Sequence, residues 1–314
     1  MTARIIAHRG AANLWPENTL AAFARAIKLG VDGIEFDLQL SADEKLIIHH
    51  DTHLKADATR RDGVYLTPPT PKIADLTYDT LKLYDVGRLN PASPYGQQRA
   101  NQQPIDGEKI PEFAALCALV RDHAPPDFRL YAELKTAMDE DEDAVARLAQ
   151  IFAREIEKSK LVEQCHIISF DWRAIAHIRA ILPHIAHAYT TLSFATTDPN
   201  HASADNDKPN NMQAKIRRAS ANGAVWWGKH DWRNYNNATH SLTHGEKVLC
   251  AMAEAGARNW FAYWRDITPD MMAHAQKLGL EVSAWTVNQR DDKEKLEQLG
   301  VATIITDRPD AMII

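Results

Sequence analysis

Residues 4–38 read RIIAHRGAANLWPENTLAAFARAIKLGVDGIEFDL: a short apolar run, an amphipathic stretch and a second short apolar run. Arg4–His8 and Gly33–Leu38 have the length and polar boundaries of buried parallel strands. Asn18–Leu29 carries its apolar residues at helical spacing, and Gly30 follows where a left-handed C-terminal residue is wanted. The same unit recurs to the end of the chain. Candidate strands at Arg129–Leu134, Cys165–Phe170, Ile185–Thr190, Arg258–Tyr263, Glu281–Thr286 and Ala302–Thr306 alternate with candidate helices. Those helices are Ala144–Lys158, Trp172–Leu182, Pro269–Lys277 and Asp291–Leu299. Thr268-Pro269 opens one of them with a capping residue and a first-position proline, and Gly279 and Gly300 close two. Eight strands alternating with helices predict an α/β chain forming a (β/α)8 TIM barrel, one domain over residues 1–314. A doubly wound open sheet is the competitor, and the absence of a glycine-rich turn after the first strand weighs against it.

Two stretches interrupt the repeat. Residues 57–109 are rich in Pro, Asp, Gln and Asn and read as an insertion between the second and third barrel strands. Residues 193–245 are polar and Asn-rich, yet hold Trp226, Trp227 and Trp232. Loops this long in a compact domain are usually functional or mobile. Gly223–Trp227 reads alternatively as a strand, which would change the count of eight.

The composition is that of a soluble globular protein, with 45% hydrophobic and 25% charged residues. A formal net charge of −6 advertises no basic face, so the chain is expected to bind neither nucleic acid nor an anionic membrane generally. Cys117, Cys165 and Cys250 are far apart and form no CxxC pair, as expected of reduced thiols. Neither a basic leader with a long apolar stretch nor an apolar run of about 18 residues is visible, so no membrane anchor is expected and the location is read as cytoplasmic.

In a barrel the working groups lie at the C-terminal ends of strands. The first strand ends in His8-Arg9-Gly10, and its loop continues through Pro16-Glu17-Asn18-Thr19. The second ends in Glu35-Phe36-Asp37, and alternation points both carboxylates one way and Phe36 the other. The third ends in Glu133-Leu134-Lys135, which pairs Glu133 with Lys135 in the same manner. Three acids at one rim offer oxygens to a hard divalent cation, and without one they would repel each other or take up protons. Leu46–Asp51 reads as an extended segment delivering one of the adjacent His49 and His50 to that rim. His8 and His50 are the expected acid–base pair, with Arg9 and Lys135 holding phosphate oxygens.

His8-Arg9-Gly10, Pro16-Glu17-Asn18-Thr19, Glu35-Phe36-Asp37 and His50-Asp51 resemble the opening signature of the glycerophosphodiester phosphodiesterases. Glu133-Leu134-Lys135, Ser169-Phe170, Trp285-Thr286-Val287-Asn288 and Ile304 to Asp310 continue that pattern in order. The resemblance implies a barrel, a magnesium or calcium ion and hydrolysis of glycerophosphodiesters to glycerol 3-phosphate and an alcohol. It implies Glu35, Asp37 and Glu133 as metal ligands, His8 and His50 as acid and base, and Arg9 and Lys135 on phosphate. Glu17 would orient Arg9 or a ligand, and Trp285 would line the glycerol pocket. A neighbouring glycerol hydroxyl would attack phosphorus, giving a cyclic phosphate that water opens. Departures after His50-Asp51, near Lys109–Phe113 and in the tryptophan-bearing insertion leave the leaving alcohol undefined, as the sequence leaves the oligomeric state.

Each motif also has an ordinary reading. Pro16–Thr19 reads equally as a helix start with Asn18 or Thr19 as cap. His49 reads as a packed or surface residue, and His166, His177, His184 and His187 as ordinary polar residues. The acidic run Asp139–Asp143 reads as a solvated face or helix N-terminus. The three insertion tryptophans read as a satellite core or as a lid over an apolar leaving group. Rival functions are a lysophospholipase D or sphingomyelinase D-like activity, and a non-catalytic phosphate-ligand barrel. A metal-dependent amidohydrolase would need a second imidazole two positions after His8.

Overall fold

The computed structural model describes residues 2–137, 140–199, 216–217, 220–221, 230–235 and 241–313. The strands in chain order are β1 (Arg4–His8), β2 (Gly33–Leu40), β3 (Leu46–Ile48), β4 (Arg60–Arg61), β5 (Val64–Tyr65) and β6 (Arg129–Leu134). They continue as β7 (Cys165–Ser169), β8 (Ala186–Thr190), β9 (Asn259–Tyr263), β10 (Glu281–Trp285) and β11 (Thr303–Thr306). Among the described residues, eight parallel strands run in the order β1-β11-β10-β9-β8-β7-β6-β2, and β1 pairs again with β2. The sheet therefore closes, with helices between successive strands, as a (β/α)8 TIM barrel. β3 adds one antiparallel strand outside the ring, pairing Ile48 with Leu38.

The local signals act as their chemistry requires. The Thr19 side chain caps Leu20–Leu29 by accepting from the Ala22 N–H, and Gly30 ends that helix at φ 84°. Thr268 caps Pro269–Lys277 in the same way. Asp141 accepts from the Ala144 N–H at 2.7 Å, so Asp141–Asp143 of the acidic run are the N-terminus of Glu142–Ser159, while Asp139 lies outside the described residues.

Strand alternation separates two apolar layers. Ile6, Tyr131, Ile168, Ala188, Phe261 and Ile305 fill the barrel interior. The opposite face of β2 sends Phe36 outward against Phe23 and Phe113, at centroid distances of 6.1 and 5.7 Å. Gly33 is required where β2 passes β6. A Cβ there would lie 2.3 Å from the Arg129 carbonyl oxygen.

The 57–109 insertion holds the β4–β5 pair and short helices at Tyr78–Leu81 and Pro94–Gln98. It rests on a satellite core of Ile47, Leu54, Ile73, Leu81, Tyr84 and Ile110. In the second interruption Trp232 is buried, donates its indole N–H to the Ser220 carbonyl at 3.0 Å and meets His244 edge-on. Trp232 joins the main apolar core of the barrel and not a separate satellite. Trp226, Trp227 and the alternative strand at Gly223–Trp227 lie outside the described residues. No helix among the described residues is long and apolar enough to cross a membrane.

Candidate active site

The strand register assembles the site. β1 sets His8 beside Glu35 of β2, and β2 sets Asp37 beside Glu133 of β6. Because side chains two residues apart share a face, Glu35 and Asp37 both turn into the barrel mouth above Ile6 and Tyr131. Glu35, Asp37 and Glu133 each bring one oxygen within 4.8 Å of the others, and all three are buried. A cavity of about 340 Å³ opens over them. Its polar wall includes His8, Arg9, Glu35, His50, Glu133 and Lys135, and its apolar wall includes Phe170, Leu192, Phe261 and Trp285. His8 and His50 therefore face one space, with Asp37 fully buried beneath it.

The loop after β1 reaches this arrangement through strained backbone. Arg9, Gly10 and Ala11 have φ of 52°, 79° and 78°, three left-handed residues in succession. Glycine takes that conformation without cost, whereas Arg9 and Ala11 do not. The turn is tied by Ala11 N donating to the His8 carbonyl at 2.9 Å and Asn18 N donating to that of Arg9 at 2.9 Å. A Cβ on Gly10 would meet the Ala22 Cβ at 2.9 Å, so glycine also lets the first helix sit against the turn.

Both histidines are held by a carboxylate at Nδ1. His8 Nδ1 donates to Asp307 Oδ1 at 2.6 Å, and His50 Nδ1 donates to Asp51 Oδ1 at 2.6 Å. In each ring Nε2 is the remaining nitrogen, and that of His8 stands 3.8 Å from Glu35 Oε2. Burial and Arg9 press the His8 pKa down, but Asp307 and Glu35 outweigh them and the net displacement is upward. Burial, with Lys135 and Arg9, lowers that of His50.

Each carboxylate of the trio has a different set of partners. Asp37 accepts from Asn18 Nδ2 at 2.7 Å and pairs with Arg9 Nε at 3.2 Å and Lys135 Nζ at 3.0 Å. Burial opposes its ionisation, yet Lys135 and Arg9 hold it well below the usual carboxylate range. Glu133 pairs with Lys135 at 2.5 Å. Glu35 accepts the Arg9 backbone N–H at 3.1 Å, and burial followed by the Asp37 charge lifts it above the usual carboxylate range. A divalent cation among these oxygens would relieve the penalty that now falls on Glu35, so the donor set fits a hard metal ion.

Arg9 and Lys135, read from the sequence as phosphate contacts, are here engaged with acids. Arg9 Nη1 lies 3.3 Å from Glu17 Oε1, and Lys135 is split between Asp37 and Glu133. Trp285 lines the cavity and donates its indole N–H to the Phe261 carbonyl at 3.2 Å. His49 turns to the His53 carbonyl at 3.4 Å and does not line this cavity.

Residues missed from the sequence are those that hold these groups. Asp307 carries His8 and accepts from Asn288 Nδ2 at 3.0 Å. Its signal was its place just past the last barrel strand. Asp307 and Asp51 alike stood in the sequence only within motifs, Ile304 to Asp310 and His50-Asp51, with no role of their own. Lys55 lies 3.3 Å from Glu17 and 3.4 Å from Asp51, and Tyr95 donates its O–H to Glu17. Nothing in the Pro- and Asn-rich insertion marked Tyr95.

Comparison with known proteins gives the same picture. A glycerophosphodiester phosphodiesterase of Caldanaerobacter subterraneus is 25% identical over 100% of this chain and 97% of its own length. A crystal structure from Silicibacter pomeroyi superposes with a TM-score of 0.77 at 28% identity, covering 98% of this chain and 90% of that one. An Oleispira antarctica phosphodiesterase, solved with its product sn-glycerol-3-phosphate, shares the fold at TM-score 0.65 and 19% identity, covering 98% and 94%. The pattern shared by such proteins, described as the glycerophosphoryl diester phosphodiesterase family, matches residues 8–311. That span runs from the histidine ending β1 to the helix after β11, and across it this chain belongs to the glycerophosphoryl diester phosphodiesterase family.

Proposed function

We propose that this chain hydrolyses glycerophosphodiesters to glycerol 3-phosphate and an alcohol, with His8 and His50 as the acid–base pair. Residues 1–314 act as one barrel domain, and the substrate is a small molecule. The observation that carries this reading is two carboxylate-held imidazoles facing one cavity whose floor is a trio of buried acids. Glu35, Asp37 and Glu133 would hold one divalent cation, magnesium or calcium. When bound, that ion would neutralise charge developing on the phosphate oxygens.

The residues divide the remaining work. An imidazole tied at Nδ1 presents Nε2 to the substrate, so one histidine takes a proton from the attacking hydroxyl. The other gives a proton to the departing alkoxide. The attacking group is the neighbouring glycerol hydroxyl, and water then opens the cyclic phosphate with the two roles exchanged. Arg9 and Lys135 supply the positive charge that a phosphodiester anion meets on arrival. Glu17 orients Arg9, and Trp285 with Phe170 covers the carbon face of the glycerol. The cysteines are free, in keeping with a reducing compartment, and we assign the reaction to the cytoplasm.

A panel of glycerophosphodiesters with magnesium, calcium and manganese tests the activity. Release of glycerol 3-phosphate with at least one cation is expected. Lysophosphatidylcholine belongs in the same panel, because a relative named lysophospholipase D is 38% identical over 106 residues. Turnover confined to the lysolipid would replace the proposal with that second reading, and no turnover on any substrate would favour a binding barrel.

A further inference from the structure

We infer that Tyr95, carried by the 57–109 insertion, is a positioning residue that aims Arg9 through Glu17, so that the insertion governs how tightly the pocket holds phosphate. This rests on the reading of Arg9 as a phosphate-holding group.

A guanidinium on a flexible stem has a defined aim only when more than one of its nitrogens is anchored. Arg9 has two such anchors, Asp37 at Nε and Glu17 at Nη1. Asp37 is fixed by the barrel itself, with Asn18 and Lys135 on its oxygens. Glu17 lies in a loop, and its fixing comes from elsewhere. Its Oε2 accepts the Tyr95 O–H, while Oε1 is shared between Arg9 and Lys55, both at 3.3 Å. Without the phenol, Oε2 has no hydrogen bond among the described residues, and the carboxylate is free to turn toward Lys55 alone.

The Tyr95 ring is itself held. The cationic heads of Lys55 and Arg99 each lie 4.0 Å from its centroid. Ser93 caps the short helix that presents it, accepting from the Gly96 N–H at 3.0 Å. The insertion also grips the segment that carries Arg9. Gln102 Nε2 donates to the Ala12 carbonyl at 2.7 Å, Gln103 N donates to that of Leu14 at 2.9 Å, and Glu108 accepts from Ala21 N at 3.2 Å. Three attachments to residues 12–21, together with the phenol on Glu17, brace the loop in which Arg9, Gly10 and Ala11 are left-handed in succession.

The test compares wild type, Tyr95→Phe, Arg9→Lys, the double variant of these two and Tyr65→Phe. Tyr65 donates its O–H to the Leu89 carbonyl at 2.8 Å inside the insertion, so its removal loosens the insertion without touching Glu17. KM and kcat are measured on glycerophosphocholine, Kd is measured for inorganic phosphate by competition, and Tm monitors folding. Losing a hydrogen bond to a charged group predicts KM and phosphate Kd about ten-fold higher in Tyr95→Phe, with kcat within about two-fold and Tm unchanged. Arg9→Lys raises both constants at least as far, Tyr95→Phe adds nothing in that background, and Tyr65→Phe changes neither. Weaker phosphate binding in Arg9→Lys with wild-type constants in Tyr95→Phe overturns the inference and leaves the role of Arg9 standing. Unchanged constants in Arg9→Lys remove that role, and the inference with it. Equal effects of Tyr65→Phe and Tyr95→Phe overturn it too, since general slackening of the insertion then explains both.

Discussion

At the scale of single residues, two side chains give opposite lessons about charge. His8 is half-buried, tied to Asp307 and set against Glu35, so its proton can be held or released at the cavity. His8→Ala is expected to cut turnover by at least about 10², the usual scale for a lost acid or base, with folding nearly intact. A variant with full activity would remove His8 from the mechanism. Asp266 lies at the end of the turn after β9, where its carboxylate accepts the Phe194 N–H at 2.8 Å. Burial pushes its pKa up to about 6. An acid whose folded pKa is raised stabilises the fold below its ordinary value near 4, and that contribution is lost as pH rises through about 6. Asp266→Asn keeps the acceptor and removes the charge. Allowing for its partial exposure, it should gain about 1 kcal/mol at pH 8, roughly 2 °C in Tm, and almost nothing at pH 4. Equal shifts at both pH values would mean that charge is not the cause.

At the scale of elements, β2 is the strand on which the rest depends. Its two faces do different work: Glu35 and Asp37 enter the mouth, while Phe36 packs outward against Phe23 and Phe113. Phe36→Ala should cost about 3–5 kcal/mol in chemical denaturation, as fully buried aromatics do. A loss under about 1 kcal/mol would show that this face carries little of the fold. The alternation on β2, the caps of the helices and the positions of the eight strands were legible in residues such as Thr19, Gly30 and Thr268, because neighbours in the chain decide them. The 57–109 insertion was legible only as an interruption. Its satellite core draws Ile47 and Leu54 from one side, Ile110 from the other and Ile73, Leu81 and Tyr84 from between, a grouping without periodicity.

At the scale of the whole molecule, closure of the ring is what concentrates acids at one end. The buried trio repels itself in the absence of a cation, with Glu35 taking the largest part of that penalty. Chelation of divalent ions is therefore expected to abolish activity and lower Tm, and magnesium or calcium should restore both. At a cation concentration of about 100 times Kd the recovery amounts to about 2.7 kcal/mol. A Tm indifferent to chelator and to added cation would argue against a metal at Glu35, Asp37 and Glu133.

By itself the chain order of this protein determined a strand–helix alternation, a barrel, and acids and histidines at the ends of successive strands. These follow from local physics, since a period of two or of 3.6 residues and a capping side chain are set within a few positions. What only the tertiary structure decided is which groups hold the others: Asp307 behind His8 across 299 positions, Asp37 within reach of both Arg9 and Lys135, and Tyr95 on Glu17 from an insertion with no pattern. Such contacts depend on register and closure, where strands distant in sequence meet at fixed spacing, and no local window carries that information.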